Sequence, residues 1–223
     1  MLGDGECIKQ VKIGLLGDDS VGKTSICHAF SDIEFDPDQM KATIGADKYE
    51  RKYSLKNGKE IKVVYWDTAG QERFRAAAIK TIRFVREIII VFQLTDRKSF
   101  EDVNDFLQTI KENWSNPKIV LFGNKIDIDK KEWKVTSEEA KEFAKKHNLP
   151  YFEMSAKTRQ GVNEGFSYAI EEAYHMAEEE LNKNKIIIPK NYEKNFKCYN
   201  KYLYKIILFI LYNFIKILIF FKF

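Results

Sequence analysis

Residues 17–24 read Gly17-Asp18-Asp19-Ser20-Val21-Gly22-Lys23-Thr24, which satisfies the spacing G-x-x-x-x-G-K-[ST]. At ordinary residue frequencies a chain of this length contains that pattern by accident roughly one time in a hundred. Its context strengthens it: the apolar run VKIGLLG (11–17) leads into it and a helix-period stretch (22–31) leaves it. Strand, glycine loop and helix together turn backbone N–H groups inward as a nest and add the dipole of a helix N-terminus. Such a loop cradles phosphate, with Lys23 reaching the β and γ phosphates and Thr24 offering a hydroxyl to Mg²⁺. Two adjacent carboxylates, Asp18 and Asp19, sit inside this anion-binding loop and need an explanation.

Working outward, apolar runs alternate with amphipathic stretches from residue 11 to about residue 181. Residues 11–17, 61–66, 88–94, 119–123 and 151–154 read as short buried strands, and 22–31, 76–86, 99–114, 136–147 and 162–181 as helices. Continuous Ile and Val content in the strands, without strict alternation, predicts a parallel sheet covered on both faces. Segment 47–60 alternates and then meets Asn57-Gly58, a hairpin signal, so it should pair antiparallel with the strand that follows. Thr136 ahead of Glu139 marks a helix start. The expectation is a doubly wound α/β domain with a mostly parallel six-stranded sheet and one antiparallel edge strand. No internal repeat is visible.

The 223 residues are 44% apolar, enough for one domain with its own core. A net charge of +4 hides an asymmetry, because residues 183–223 carry nine Lys against one Glu. The first 182 residues therefore hold 28 basic against 32 acidic side chains. A mildly acidic body argues against nucleic acid as a partner, and a basic tail suits an anionic membrane surface. Cys7, Cys27 and Cys198 lack metal-ligand spacing, which suits a reducing, cytoplasmic setting, with Cys27 in the core. His28, His147 and His175 are scattered and read as surface or packing residues. The first residues, MLGDGEC, offer no apolar signal-peptide core.

Asn124-Lys125-Ile126-Asp127 follows the strand IVLFG at the carboxyl end of the sheet, where open α/β sheets bind ligands. Asp127 can accept two hydrogen bonds from the N1–H and N2–H₂ edge of guanine, and adenine has no matching donors. Losing such a match costs about 10⁴ to 10⁵ in discrimination. An ATP-using P-loop kinase, the rival reading, should lack Asp127.

The motifs GDDSVGKT, Thr43, DTAGQE (67–72), NKID (124–127) and SAK (155–157), in that order, resemble those of a Ras-superfamily small GTPase. WDTAGQERF (66–74) and TIG (43–45) look like the Rab family in particular, and KATIGAD (41–47) is similar to late-endosomal Rabs. The resemblance implies a P-loop G domain over residues 9–181, an N-terminal extension over 1–8 and a tail over 182–223. It also implies a GTP/GDP switch that hydrolyses GTP with Mg²⁺, regulates vesicle traffic and meets an exchange factor, a GAP and effectors. Nucleotide contacts would come from Asp19, Ser20, Val21, Gly22, Lys23, Thr24, Ser25, Phe35, Thr43, Gly70, Asn124, Lys125, Asp127, Ser155, Ala156 and Lys157. Thr24, Thr43 and Asp67 would hold Mg²⁺, and Gln71, Lys23 and Thr43 would carry catalysis, with Gln71 orienting the attacking water. Ala156 N–H would read guanine O6 and Phe35 would lie against the base. Segments 32–48 and 68–80 would be ordered by the γ-phosphate and released on hydrolysis.

Three departures from the Rab pattern put the effector's identity in question: Lys48 in place of Phe, TIRFV (81–85) in place of Tyr-Tyr-Arg-Gly-Ala, and one extra residue between Lys23 and Thr43. Asp18 is expected to face solvent. Asp19 stands where the family keeps a small residue, so it is expected to hinder the attacking water or an incoming GAP finger, the alternative being that it faces water. Slow hydrolysis would make the chain a GTP-loaded scaffold. The tail lacks the prenylated cysteines of Rabs and instead carries IILFILYNFIKILIFF (206–221). As a helix this spans about 24 Å, short of the roughly 30 Å bilayer core. It reads either as a marginal tail anchor on an intracellular membrane or as translated AT-rich noncoding sequence, since residues 199–223 use only Tyr, Asn, Lys, Leu, Ile and Phe.

Overall fold

A computed structural model describes residues 8–36, 42–115 and 117–183. The expectations for residues 1–7, for 37–41 of the segment 32–48, and for the tail from 184 onward lie outside these residues.

Six strands form one sheet: β1 (Gln10–Gly17), β2 (Ala46–Ser54), β3 (Glu60–Thr68), β4 (Glu87–Gln93), β5 (Lys118–Asn124) and β6 (Tyr151–Glu153), in the order β2-β3-β1-β4-β5-β6. All pairings are parallel except β2 with β3, the hairpin closed at Asn57-Gly58. The fold class read from the sequence is the one observed. β1 has β3 on one side and β4 on the other, and the strand order reverses across it, so the loop after β1 lies at the switch point where such sheets bind ligands.

The helices are α1 (Lys23–Phe30), α2 (Arg75–Ile82), α3 (Arg97–Glu101), α4 (Val103–Asn113), α5 (Ser137–Lys146) and α6 (Val162–Lys183). Successive residues of β4 explain the two layers. Ile89 and Val91 pack with Ile26 and Phe30 of α1 and Phe166 and Ile170 of α6, while Ile88, Ile90 and Phe92 pack with Phe106 and Ile110 of α4 and Ala140 of α5. Full burial of each such side chain contributes about 1.5 to 3 kcal/mol, which is why an all-apolar strand settles in the centre.

Two helices differ from the sequence reading. The stretch expected as one helix over 99–114 begins earlier, because the Asp96 side chain caps the N–H of Lys98, and it breaks at Asp102. There the Asp102 carbonyl takes the N–H groups of Asp105 and Phe106 and starts α4 afresh. The helix expected over 76–86 ends at Ile82, since the N–H of Val85 closes a turn on the Ile82 carbonyl before β4 begins at Glu87. The Thr136 cap is present, accepting from Glu139 N–H at 3.1 Å.

Candidate functional site

The site grows from the loop after β1. Gly22 has φ 95°, a left-handed conformation, and a Cβ there would collide with the Asn124 amide nitrogen, so glycine is required twice over. Ser20 also takes a positive φ of 58°, bending the loop around a concavity of about 290 Å³. Asp19, Ser20, Gly22, Lys23, Thr24, Ser25, Thr43 and Gly70 line it, with Ala42 and Thr68. Lys23 folds back over the loop, its ammonium donating to the carbonyls of Gly17 (3.0 Å) and Asp18 (2.7 Å). Burial pushes the Lys23 ammonium below its ordinary pKa, and Asp67, Asp19 and Asp18 pull it back. A desolvated cation of this kind gains strongly from an anion brought to it.

Three side chains from three segments converge beside Lys23. Thr24 Oγ1 donates to Asp67 Oδ2 at 2.6 Å, Thr43 Oγ1 donates to the same oxygen at 3.0 Å, and the two hydroxyls are 3.1 Å apart. The other oxygen, Asp67 Oδ1, is buried with no hydrogen-bond partner. Burial holds the Asp67 carboxyl above the usual carboxylate range despite Thr24 and Lys23. One carboxylate, two hydroxyls and an unused buried oxygen suit a small hard cation that keeps several of its waters.

The two aspartates part ways. Asp18 is half-buried, accepts from the N–H of Asp19 at 2.9 Å, and its carboxylate lies near that of Asp102 at the α3/α4 break. Burial first, then the Asp18 charge, raises the Asp102 carboxyl, with Lys98 and Arg75 opposing. The solvent-facing position expected for Asp18 is thus corrected: the break in the helix brings a second carboxyl against it. Asp19 is exposed, accepts from the N–H of Ser20 at 2.9 Å, and lines the concavity.

A second group forms at the ends of β5 and β6. Asn124 is a strut, donating to the Val21 carbonyl at 2.9 Å and accepting from Ala156 N–H at 3.1 Å. Lys125, at φ 72°, donates to the Ser20 carbonyl at 2.9 Å. Ser155, fully buried, donates to Asp127 Oδ1 at 2.6 Å and accepts from Thr158 N–H. The Ala156 amide, expected to face a base oxygen, is engaged by Asn124 here. Lys157 is exposed, Phe35 is half-buried, and neither lines the concavity after β1. Gln71 Oε1 accepts from Arg73 Nε at 3.0 Å.

Residues 12–175 match the Ras family.

The chain belongs to the Ras family.

Among its relatives, Ras-related protein Rab-13 of Bos taurus is 41% identical over 157 residues, covering 70% of this chain and 76% of the relative. Rab-18 of Caenorhabditis elegans is 39% identical (72% and 78% covered), and Rab-27B of Bos taurus is 37% identical (71% and 77%). The chain is a small GTPase, most like the Rab proteins, that binds guanine nucleotide. In this Ras-family domain the sequence reading missed Thr68, which lines the concavity and anchors β3 to β1 through Oγ1 to the Leu15 carbonyl at 2.7 Å. Its signal was its place inside DTAGQE. Asn124 was named for the nucleotide, and its linkage of two loops was invisible in the sequence because the partners lie 103 and 32 residues away.

Proposed function

We propose that the domain holds GTP or GDP with Mg²⁺ in the concavity after β1 and acts as a timed switch in vesicle traffic, addressed by an exchange factor, a GAP and effectors. The observation that carries this is the meeting of Thr24, Thr43 and Asp67 with one Asp67 oxygen left unpartnered. Those three residues would hold the metal, which when bound neutralises charge on the β and γ phosphates. Lys23 would leave its loop carbonyls for the phosphate oxygens. Gly70 N–H would meet the γ-phosphate, and Gln71 would release Arg73 to orient water. At the other end Asp127, steadied by Ser155, would accept from the guanine edge, with Lys125 and the SAK loop closing over the base and Phe35 against it. Because Thr43 and Gly70 come from separate loops, loss of the γ-phosphate would release both.

Fluorescent GDP titrated into the purified chain with Mg²⁺ tests the proposal. Uptake that ATP fails to compete is the expected result, and no uptake would overturn it.

A hydrolysis-poor scaffold is the second reading, favoured by the exposed Asp19 carboxylate in the lining of the concavity. Single-turnover hydrolysis should then rise at least about tenfold in Asp19→Gly, about 1.4 kcal/mol off the barrier. Equal rates with and without a GAP would leave the ordinary switch standing. For location, no helix among the described residues is long and apolar enough to cross a membrane. We place the protein peripherally on an intracellular membrane through the basic and apolar residues of its tail.

A further inference from the structure

A second concavity, of about 550 Å³, lies at the opposite end of the sheet. Glu87 opens β4 and Lys118 opens β5, so a seven-residue strand, about 20 Å long, separates them from the nucleotide loops. Glu87 belongs to its lining, yet none of its surface reaches solvent and neither carboxyl oxygen has a hydrogen-bond partner. Ile119, Leu149 and Pro150 supply apolar wall. The charged and titratable groups that share the lining with Glu87 are Lys118 from β5, Lys145 from α5, and Tyr168 and Glu172 from α6. Lys118 and Glu172 lie 3.8 Å apart and offset each other.

Burial, with the Glu172 charge second and Lys118 opposing, pushes the Glu87 carboxyl up to about 9. At neutral pH it is an uncharged acid, one O–H donor beside one C=O acceptor, both unanswered by the protein. Two lysines against one ionised glutamate leave the surroundings slightly positive, which disfavours a cationic ligand. A simple oxyanion such as a carboxylate could accept from the Glu87 O–H but has no N–H to offer its carbonyl. The matching chemistry is a neutral group with N–H and C=O side by side, attached to something apolar for the walls. The volume is that of an ordinary small-molecule pocket. Lys118, whose side chain is 54% exposed, stands in the same lining, and a ligand would have to displace part of that lining to reach the buried oxygens.

We propose that this concavity is a second ligand site, for a neutral primary carboxamide or lactam held by two hydrogen bonds to Glu87. It does not rest on the nucleotide reading.

Benzamide, titrated into the full-length protein and followed by amide NMR shifts, is the test. Saturable shifts at Ile119, Leu149 and Tyr168 are expected, kept within about threefold in affinity by Glu87→Gln, whose amide retains a donor and an acceptor. Glu87→Leu, apolar and well suited to a buried position, should weaken binding at least tenfold, and benzamidine and benzoate should bind the unaltered protein at least tenfold less tightly. No saturable shifts, equal affinity in Glu87→Leu, or tighter binding of either charged probe would overturn the proposal.

Discussion

Gly70 approaches the backbone of the phosphate loop so closely that a Cβ would collide with the carbonyl of Asp18 and lie 2.6 Å from the Asp19 nitrogen. Gly70→Ala must therefore push the loop carrying Gln71 outward. Affinity for GTP should fall about tenfold or more relative to GDP, measured by competition, because in the proposed site only the γ-phosphate would reach that loop; an unchanged ratio would disprove the contact. Glu87 makes a different prediction. The folded protein keeps its proton up to about pH 9, while the unfolded chain releases it above about 4.3. The unfolded state thus binds fewer protons across that window, and stability falls as pH rises, by up to about 1.4 kcal/mol per unit. Glu87→Gln cannot lose a proton, so its stability advantage in urea unfolding should grow from pH 5 to pH 8. Parallel profiles would show that Glu87 is not held neutral. Lys23 was legible from its motif because its role depends on neighbours six residues away. Glu87 was not, since its surroundings come from β5, α5 and α6, about 30 or more residues on, and no local pattern separates a buried glutamate from a solvated one.

Among the elements, the two nucleotide loops behave as one unit through Asn124. Asn124→Ala would strip partners from the Val21 carbonyl and the Ala156 amide, both buried. Each unsatisfied group costs about 1 to 3 kcal/mol, so unfolding in urea should show a loss of about 2 kcal/mol or more, even without nucleotide. A loss below about 0.5 kcal/mol would mean that the loops are held otherwise. The strands were read within a residue or two because an apolar run bounded by turns is a local signal. The single helix expected over 99–114 was not, because its break depends on a cap at Asp96 and on the Asp102 carbonyl re-entering a helix. Periodicity continues through such a break and cannot reveal it.

For the whole molecule, nucleotide binding is linked to folding. GDP at about a thousand times its dissociation constant should stabilise the domain by about 4 kcal/mol, raising Tm by roughly 8 to 16 °C. Chelating Mg²⁺ should remove part of that gain, leaving Asp67 Oδ1 unmatched again; a melting curve indifferent to both additions would contradict the proposed site. The sequence by itself determined the strand order, the glycine loop after β1, the NKID motif and hence membership of the Ras family, because each is written in residues close together in the chain. Only the tertiary structure decided that Thr24, Thr43 and Asp67 meet, that Asp18 faces Asp102 and that Glu87 lies buried beneath a second pocket. These depend on which distant segments the sheet brings side by side, and burial and proximity are properties of that packing.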